Sequence, residues 1–112
     1  MQKALSYTDA NFDRFVEELK DFLRIPSVST DPNHKDDVNA AAEWVAHNMR
    51  NMGTSHVKIM PTDGHPIVYA EHMVDPSKPT ILVYGHYDVQ PPDPLELWDS
   101  EPFDPVVKNG DL

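Results

Sequence analysis

Two polar residues whose types and spacing could do chemistry, His86 and Asp88, follow an apolar run near the carboxyl-terminal third of the chain. Because they are two positions apart, their side chains leave an extended backbone on the same side. A histidine that binds a metal through one ring nitrogen needs its other N–H fixed, and a carboxylate is the usual acceptor. The pattern is that of a metal ligand, His86, oriented by Asp88, an interpretation that the flanking segments must support. An ordinary solvated loop histidine is the alternative, since so short a pattern also occurs by chance.

The segment that must position this pair is the preceding stretch Thr80–Tyr84. Its continuous apolar, β-rich sequence predicts a strand that is buried on both faces. Gly85 ends the run, and the stiff pair Pro91-Pro92 follows soon after the candidate site. The carboxyl end of a buried strand is where α/β sheets usually carry their functional groups. The sequence thus predicts a positioned site rather than a random loop.

Composition limits the classes of function. Hydrophobic residues make up 39% of the 112 positions, and the net charge is −10, from 19 acidic and 9 basic residues. A globular chain this acidic is expected to bind neither nucleic acid nor an anionic membrane, because both need a basic surface. Cysteine is absent, so histidines and carboxylates would have to hold any metal. No signal peptide or membrane-spanning run is recognisable, and we expect a soluble, cytoplasmic protein.

Two helices are predicted in the first half of the chain. The first runs from Asp9 to Arg24 with Thr8 as its N-cap, and the second from Asp36 or Asp37 to Met52 with Gly53 as its C′ residue. Apolar residues at helical spacing in the first helix predict a stripe that packs in the core. These residues are Phe12, Phe15, Val16, Leu19, Phe22 and Leu23.

Three strands are predicted next, at His56–Met60, Pro66–Val74 and Thr80–Tyr84. Their links are too short for a parallel crossover, so they should form an antiparallel meander. None of the remaining histidines has a metal-binding partner at a defined spacing, and all are predicted to be structural or solvated. They are His34, His47, His56, His65 and His72.

The last segment is rich in proline and too irregular for a helix. Trp98 and Phe103 are predicted to anchor a long loop, with a substrate-pocket role as the alternative. Val106–Gly110 ends in Asn-Gly, a strong hairpin signal, and the returning strand should start at Asp111. We therefore expect these residues to be the front part of a longer polypeptide.

Several motifs together resemble a known family. They are Tyr84-Gly85-His86-Tyr87-Asp88-Val89-Gln90-Pro91-Pro92, then Trp98, Pro102-Phe103, Pro105 and Asn109-Gly110-Asp111-Leu112, preceded by Arg24-Ile25-Pro26-Ser27-Val28-Ser29. The chain resembles the di-zinc metallopeptidases that include carnosinase-type and non-specific dipeptidases, glutamate carboxypeptidase, aminoacylase and succinyl-diaminopimelate desuccinylase. The His-Tyr-Asp-Val-Gln-Pro sequence most resembles the dipeptidase branch.

The resemblance implies a fold and a site. Residues 1–112 would form the amino-terminal part of a single α/β catalytic domain, a mixed-sheet, three-layer α/β/α structure. His86 would bind one of two zinc ions, replaceable by cobalt or manganese, and Asp88 would be the catalytic carboxylate that orients it. The general base and the other ligands would lie beyond Leu112, and no substrate-binding residue is assigned. The substrate would be a small peptide, and this chain alone would be inactive.

Two other interpretations stay open. The chain could be a non-catalytic, truncated α/β module whose exposed sheet edge binds another chain, and the uncovered strand Thr80–Tyr84 indeed predicts a homo-oligomer. It could also be an unrelated acidic α/β binding module in which His86 and Asp88 form an ordinary structural hydrogen bond.

Overall fold

Two α-helices and a two-stranded sheet make up the regular structure in a computed structural model that describes residues 1–112. The elements in order are α1 (Gln2–Leu23), a 3-10 turn (Pro32–His34), α2 (Lys35–Asn51), β1 (His56–Met60), β2 (Ile67–Glu71) and a second 3-10 turn (Leu95–Leu97). They fall into two compact units. The first unit combines Met1–Ile25 with Pro92–Leu112, and the second is Pro26–Pro91.

Helix α1 starts at Gln2, seven positions before the predicted start at Asp9. Thr8 is not its N-cap: the Thr8 hydroxyl donates a hydrogen bond to the carbonyl oxygen of Ala4 at 3.0 Å, inside the helix. The segment before Thr8 contains good helix formers. Tyr7 also packs against Phe15, with ring centroids 6.1 Å apart. Local propensity and this ring contact extend the helix past the expected cap.

The apolar stripe of α1 is not a core, contrary to the prediction. None of the helix residues is buried, and Phe12 and Leu19 are 60% and 45% exposed. A helix buries its stripe only against a facing apolar surface. The other segment of this unit, Pro92–Leu112, offers irregular chain and a single 3-10 turn instead.

The carboxyl-terminal segment follows the sequence predictions more closely. The Trp98 indole N–H donates to the carbonyl oxygen of Pro92 at 2.7 Å, which anchors the loop although the ring is half exposed. Asn109 and Gly110 have φ angles of 56° and 93°, and Lys108 and Asp111 exchange two backbone hydrogen bonds of 2.8 and 3.1 Å across them. The Asn-Gly hairpin turn is therefore confirmed.

Helix α2 supplies the core of the second unit. Val38, Ala41, Ala42 and Ala46 are fully buried on the face that packs against both strands. Met52, the C-cap residue of the helix, is 70% exposed. Gly53 has a φ of +82°, its N–H donates to the Arg50 carbonyl oxygen at 3.0 Å, and the Thr54 N–H donates to that of Met49 at 3.2 Å. This pair of bonds confirms Gly53 as the C′ residue of a helix-terminating turn.

Strands β1 and β2 pair antiparallel, with Val57 opposite Ala70 and Ile59 opposite Val68. The boundaries of β1 are as predicted, and Val57 and Ile59 share its half-buried face. The second strand is shorter than the predicted Pro66–Val74. Helix α2 lies on this two-stranded sheet, which gives the unit an α/β arrangement.

The predicted third strand does not form. Thr80–Tyr84 has no backbone hydrogen bonds to β1 or β2, and Ile81, Leu82, Val83 and Tyr84 are 85%, 91%, 87% and 89% exposed. A strand apolar on both faces needs cover on both faces and a partner along its edge. The single helix of this unit already packs on β1 and β2, so the meander stops at two strands. Neither helix is long and apolar enough to cross a membrane.

Candidate metal site

Tyr87–Val89, shortly after the exposed apolar run, contacts the loop that follows α1. Val89 forms a parallel bridge with Val28, and the Val89 N–H donates to the Ser27 carbonyl oxygen at 3.0 Å. The Ser27 hydroxyl donates to the Tyr87 carbonyl oxygen at 2.9 Å. Ser27 and Val28 are only 2% and 3% exposed. These contacts fix the register between the loop after α1 and the segment that carries His86 and Asp88.

The turn before β2 forms hydrogen bonds both with the loop after α1 and with the segment that carries His86 and Asp88. The Tyr87 hydroxyl donates a hydrogen bond to the carbonyl oxygen of Pro66, and the His65 ring N–H at Nε2 donates to that of Ser29 at 2.8 Å. Burial, and after it the negative charge of Asp88, raises the pKa of the Tyr87 phenol. The phenol therefore stays protonated and able to donate at neutral pH.

His86 and Asp88 are brought together. His86 Nδ1 lies 3.0 Å from the backbone oxygen of Asp88 and 3.2 Å from its Oδ1. Both oxygens can only accept, so Nδ1 carries the proton and Nε2 of the neutral ring keeps its lone pair. The His86 side chain is 75% exposed, which leaves Nε2 accessible to a ligand. The arrangement can present one imidazole nitrogen to a metal ion.

Asp88 is held on its other side by a residue that the sequence did not single out. The Ser29 hydroxyl donates to Asp88 Oδ2 at 2.6 Å. This bond is the main reason why the pKa of Asp88 lies below its usual range, and the hydrogen bond from His86 adds to the effect against the opposing influence of burial. The carboxylate is therefore ionised at neutral pH. Ser29 and Asp88 are 59 positions apart, and no motif spacing could have linked them.

The residues at this place could supply one ligand of a metal site, His86, but not a complete site. Zinc takes three or four protein ligands, and nowhere does this chain gather three or more His, Cys, Asp or Glu side chains in a metal-binding arrangement. His86 has the tautomer and accessibility that a ligand needs, and Asp88 has the position of its orienting partner. Their roles as metal ligand and catalytic carboxylate stay predictions.

The other histidines lie apart from this pair or support it through the backbone. His34 is structural rather than solvated, because its Nδ1 lies 2.7 Å from Asp37 Oδ2 in the first turn of α2. His47 is exposed on α2, where its Nε2 accepts a hydrogen bond from Asn51 at 2.9 Å. His65 contacts the backbone of Ser29, as described above.

An open groove of about 1180 Å³ lies beside the pair in the second unit. Its walls are the half-buried residues Val45 and Met49 of α2, strand β2 and the exposed run Thr80–Tyr84, and His86 and Asp88 line it at the end of that run. The apolar side chains of the run are therefore a continuation of the surface that carries the candidate site.

Comparison with known proteins gives the site its context. No family model matches the chain. The Cys-Gly metallodipeptidase dug1 of Schizosaccharomyces pombe is 33% identical over 97% of this chain and 25% of its own length. The Beta-Ala-His dipeptidase of Mus musculus is 33% identical over 100% of this chain and 25% of its own length. A solved structure of the dipeptidase Dug1p from Saccharomyces cerevisiae matches 89% of this chain and 23% of that chain, with 32% identity and a TM-score of 0.81.

These similarities run through the α/β unit and the segment with the candidate site alike, and the relatives that they identify are named as dipeptidases or metallodipeptidases. The chain belongs to the family of the metallodipeptidases, as the motifs around His86 and Asp88 indicate. It spans about a quarter of the length of the curated relatives that it matches.

Proposed function

We propose that this chain is the amino-terminal part of a metal-dependent dipeptidase. The observation that carries the proposal is the His86–Asp88 pair, in which Nδ1 is occupied and Nε2 is accessible, in a chain homologous over nearly its whole length to metallodipeptidases. Residues 1–112 are proposed to belong to a single three-layer α/β/α catalytic domain. The proposed substrates are dipeptides, as for the named relatives.

In this proposal each of the two residues has one role. His86 holds a metal ion through Nε2, and Asp88 keeps the imidazole in the required tautomer and orientation. The proposed metal is zinc, as two ions that cobalt or manganese could replace, and when bound it would activate a water and polarise the scissile carbonyl. The remaining ligands and the general base come from residues outside this chain. A cytoplasmic location stays a prediction that cell fractionation would test.

The test uses the full-length gene product, stripped with a chelator and assayed on Cys-Gly and β-alanyl-histidine before and after zinc, cobalt or manganese is restored. We expect hydrolysis only with metal. His86→Ala should lower kcat/KM by more than about 100-fold, because replacing residues that merely hydrogen-bond to a ligand already costs about 10- to 100-fold. His47→Ala, at an exposed helical histidine outside the Asp88 contacts, is the matched control and should retain activity. Metal-independent hydrolysis, or equal activity of the two variants, would refute the proposal.

A second candidate function rests on the exposed run Ile81–Tyr84. Four consecutive apolar side chains, each at least 85% exposed, are an unusual surface for a soluble monomer. The alternative is therefore a non-catalytic α/β module that self-associates or binds a partner through this segment. Absence of metal-dependent hydrolysis by the full-length gene product, together with stable oligomers, would favour it.

A further inference from the structure

Ser29 makes two hydrogen bonds to residues that are distant in sequence. Its hydroxyl donates to Asp88 Oδ2 at 2.6 Å, and its carbonyl oxygen accepts from His65 Nε2 at 2.8 Å. The side chain and the backbone of the same residue are thus held by two different segments, one with Asp88 and one with His65. Ser29 is half buried, directly after the buried residues Ser27 and Val28.

The bond to Oδ2 determines how Asp88 meets His86. A carboxylate rotates easily about its last side-chain bond, because this torsion has broad minima. His86 Nδ1 faces two acceptors of Asp88, the backbone oxygen at 3.0 Å and Oδ1 at 3.2 Å, and Oδ2 accepts from the Ser29 hydroxyl. With one oxygen fixed, the plane of the carboxylate is fixed, and the other oxygen stays directed at the imidazole. The serine hydroxyl can donate only one proton, and here this proton goes to the carboxylate.

The backbone around Ser29 is well placed to hold this geometry. The parallel bridge between Val28 and Val89 and the bond from the Val89 N–H to the Ser27 carbonyl set the register of the two segments. In that register Ser29 stands beside Asp88. A side chain acts as a reliable orienting group when its own backbone and rotamer are restrained. The Val28–Val89 bridge restrains the neighbouring backbone, and the bond to Asp88 restrains the Ser29 hydroxyl.

We propose that Ser29 is a positioning residue for the metal site. Through Asp88 Oδ1 it strengthens the preference of His86 for the Nδ1–H tautomer, which the Asp88 backbone oxygen also favours, and Nε2 stays free to bind a divalent metal ion. The tautomer part depends only on the contacts described above. The metal part rests on the proposed function.

The test separates the hydroxyl from the volume of the side chain. Ser29→Thr keeps the hydroxyl, and Ser29→Val has nearly the same shape as threonine without it. Ser77→Ala is the matched control, since the Ser77 hydroxyl donates to Asp75 Oδ1 at 2.7 Å in the same kind of serine-to-aspartate bond outside the site. All variants are made in the full-length gene product.

The first measurement is the tautomer of His86 in the metal-free protein. Long-range ¹H–¹⁵N spectra are recorded at about pH 8 on protein labelled at histidine. The His86 signals are assigned by their absence from His86→Ala. We expect the Nδ1–H form in wild type, Ser29→Thr and Ser77→Ala. In Ser29→Val we expect a partial loss of this preference, because the Asp88 backbone oxygen would be the remaining fixed acceptor for Nδ1–H.

The second measurement is zinc affinity by competition with a chromophoric chelator. Ser29→Val should weaken zinc binding by about 10-fold or more, the loss typical of removing a group that orients a ligand, while Ser29→Thr and Ser77→Ala should stay within about threefold of wild type. Equal tautomer populations and equal zinc affinities in the valine and threonine variants would overturn the proposal. If the valine variant alone loses the tautomer preference and no variant binds zinc, the Ser29 link stands and the proposed function fails.

Discussion

At the scale of single residues, Asp88 carries the candidate site. It accepts from Ser29 on one oxygen and faces His86 with the other, so it connects a buried loop with an exposed imidazole. Sequence reasoning found His86 and Asp88 because their relation is local, two positions apart. It missed Ser29 because that relation depends on the pairing of distant segments, which no local pattern contains.

Asp88→Asn in the full-length gene product should retain part of the zinc but lose most turnover. An amide accepts a weaker hydrogen bond from the imidazole and adds no negative charge, and we expect kcat/KM on a dipeptide to fall by about 10- to 100-fold at saturating zinc. Asp75→Asn, which also replaces an aspartate bonded to a serine, is the control and should behave as wild type. Near wild-type turnover in Asp88→Asn would contradict the assigned role.

Acid should remove the contribution of Asp88 to stability. The hydrogen bond from Ser29 is the main cause that lowers the pKa of Asp88 in the folded protein. A carboxyl group whose pKa is lowered on folding stabilises the protein above its unfolded pKa, about 3.9, and this stabilisation is lost as the pH falls through the folded pKa. We expect the difference in free energy of unfolding between wild type and Asp88→Asn to be constant above about pH 5 and to shrink below about pH 4. If this difference in free energy of unfolding instead grew as the pH falls, the prediction would be contradicted.

At the scale of elements, the accuracy of the sequence predictions followed the range of the interactions. The Gly53 turn and the Asn109-Gly110 turn form as predicted, because each is set by a positive φ angle and hydrogen bonds between close neighbours. β1 was also placed correctly by its alternation. The start of α1 was missed because Thr8 bonds inside the helix instead of capping it. The prediction of a strand at Thr80–Tyr84 was wrong, because a buried strand needs neighbouring strands and cover that its own sequence cannot supply.

The exposed run should make this chain self-associate when it is produced by itself. Light scattering is expected to show oligomers, since Ile81 and Val83 are 85% and 87% exposed in a segment without strand partners. Ile81→Lys combined with Val83→Lys should shift the chain toward monomer. Met52→Lys combined with Leu97→Lys replaces two other exposed apolar residues, 70% and 77% exposed, and should leave association unchanged. A stable wild-type monomer with a sharp, cooperative melt would contradict this prediction.

At the scale of the whole molecule, the chain corresponds to one part of its relatives. It matches metallodipeptidases over nearly all of its residues but covers about a quarter of their length. Its described side chains do not assemble three metal-binding groups at any one place. Catalysis of this kind needs a held metal, a base near the attacking water and charge stabilisation at the reacting carbonyl. The family and its motifs were predictable from the sequence, whereas the completeness of the site depends on how distant residues meet.

The chain of residues 1–112 alone should therefore not hydrolyse dipeptides with any metal. The assay compares it with the full-length gene product on one dipeptide panel, with zinc, cobalt and manganese in turn. We expect turnover only from the full-length protein. Turnover by the short chain that disappears in His86→Ala would contradict the prediction. It would indicate that two copies each contribute metal ligands to a site at their interface.

The bridge between Val28 and Val89 has a consequence for the order of folding. The bonds from Ser27 to Tyr87 and from Ser29 to Asp88 join residues 60 and 59 positions apart, whereas α2 and the β1–β2 hairpin form within the enclosed segment from nearer contacts. Closing so long a loop loses more chain entropy than closing short ones. The hairpin and helix are thus expected to be present in the folding transition state, and the loop closure to come after it. Substitutions at Ser29 or Val89 would then speed unfolding and leave the folding rate nearly unchanged. Within this unit the site is therefore expected to form after the helix and the hairpin and to open before them.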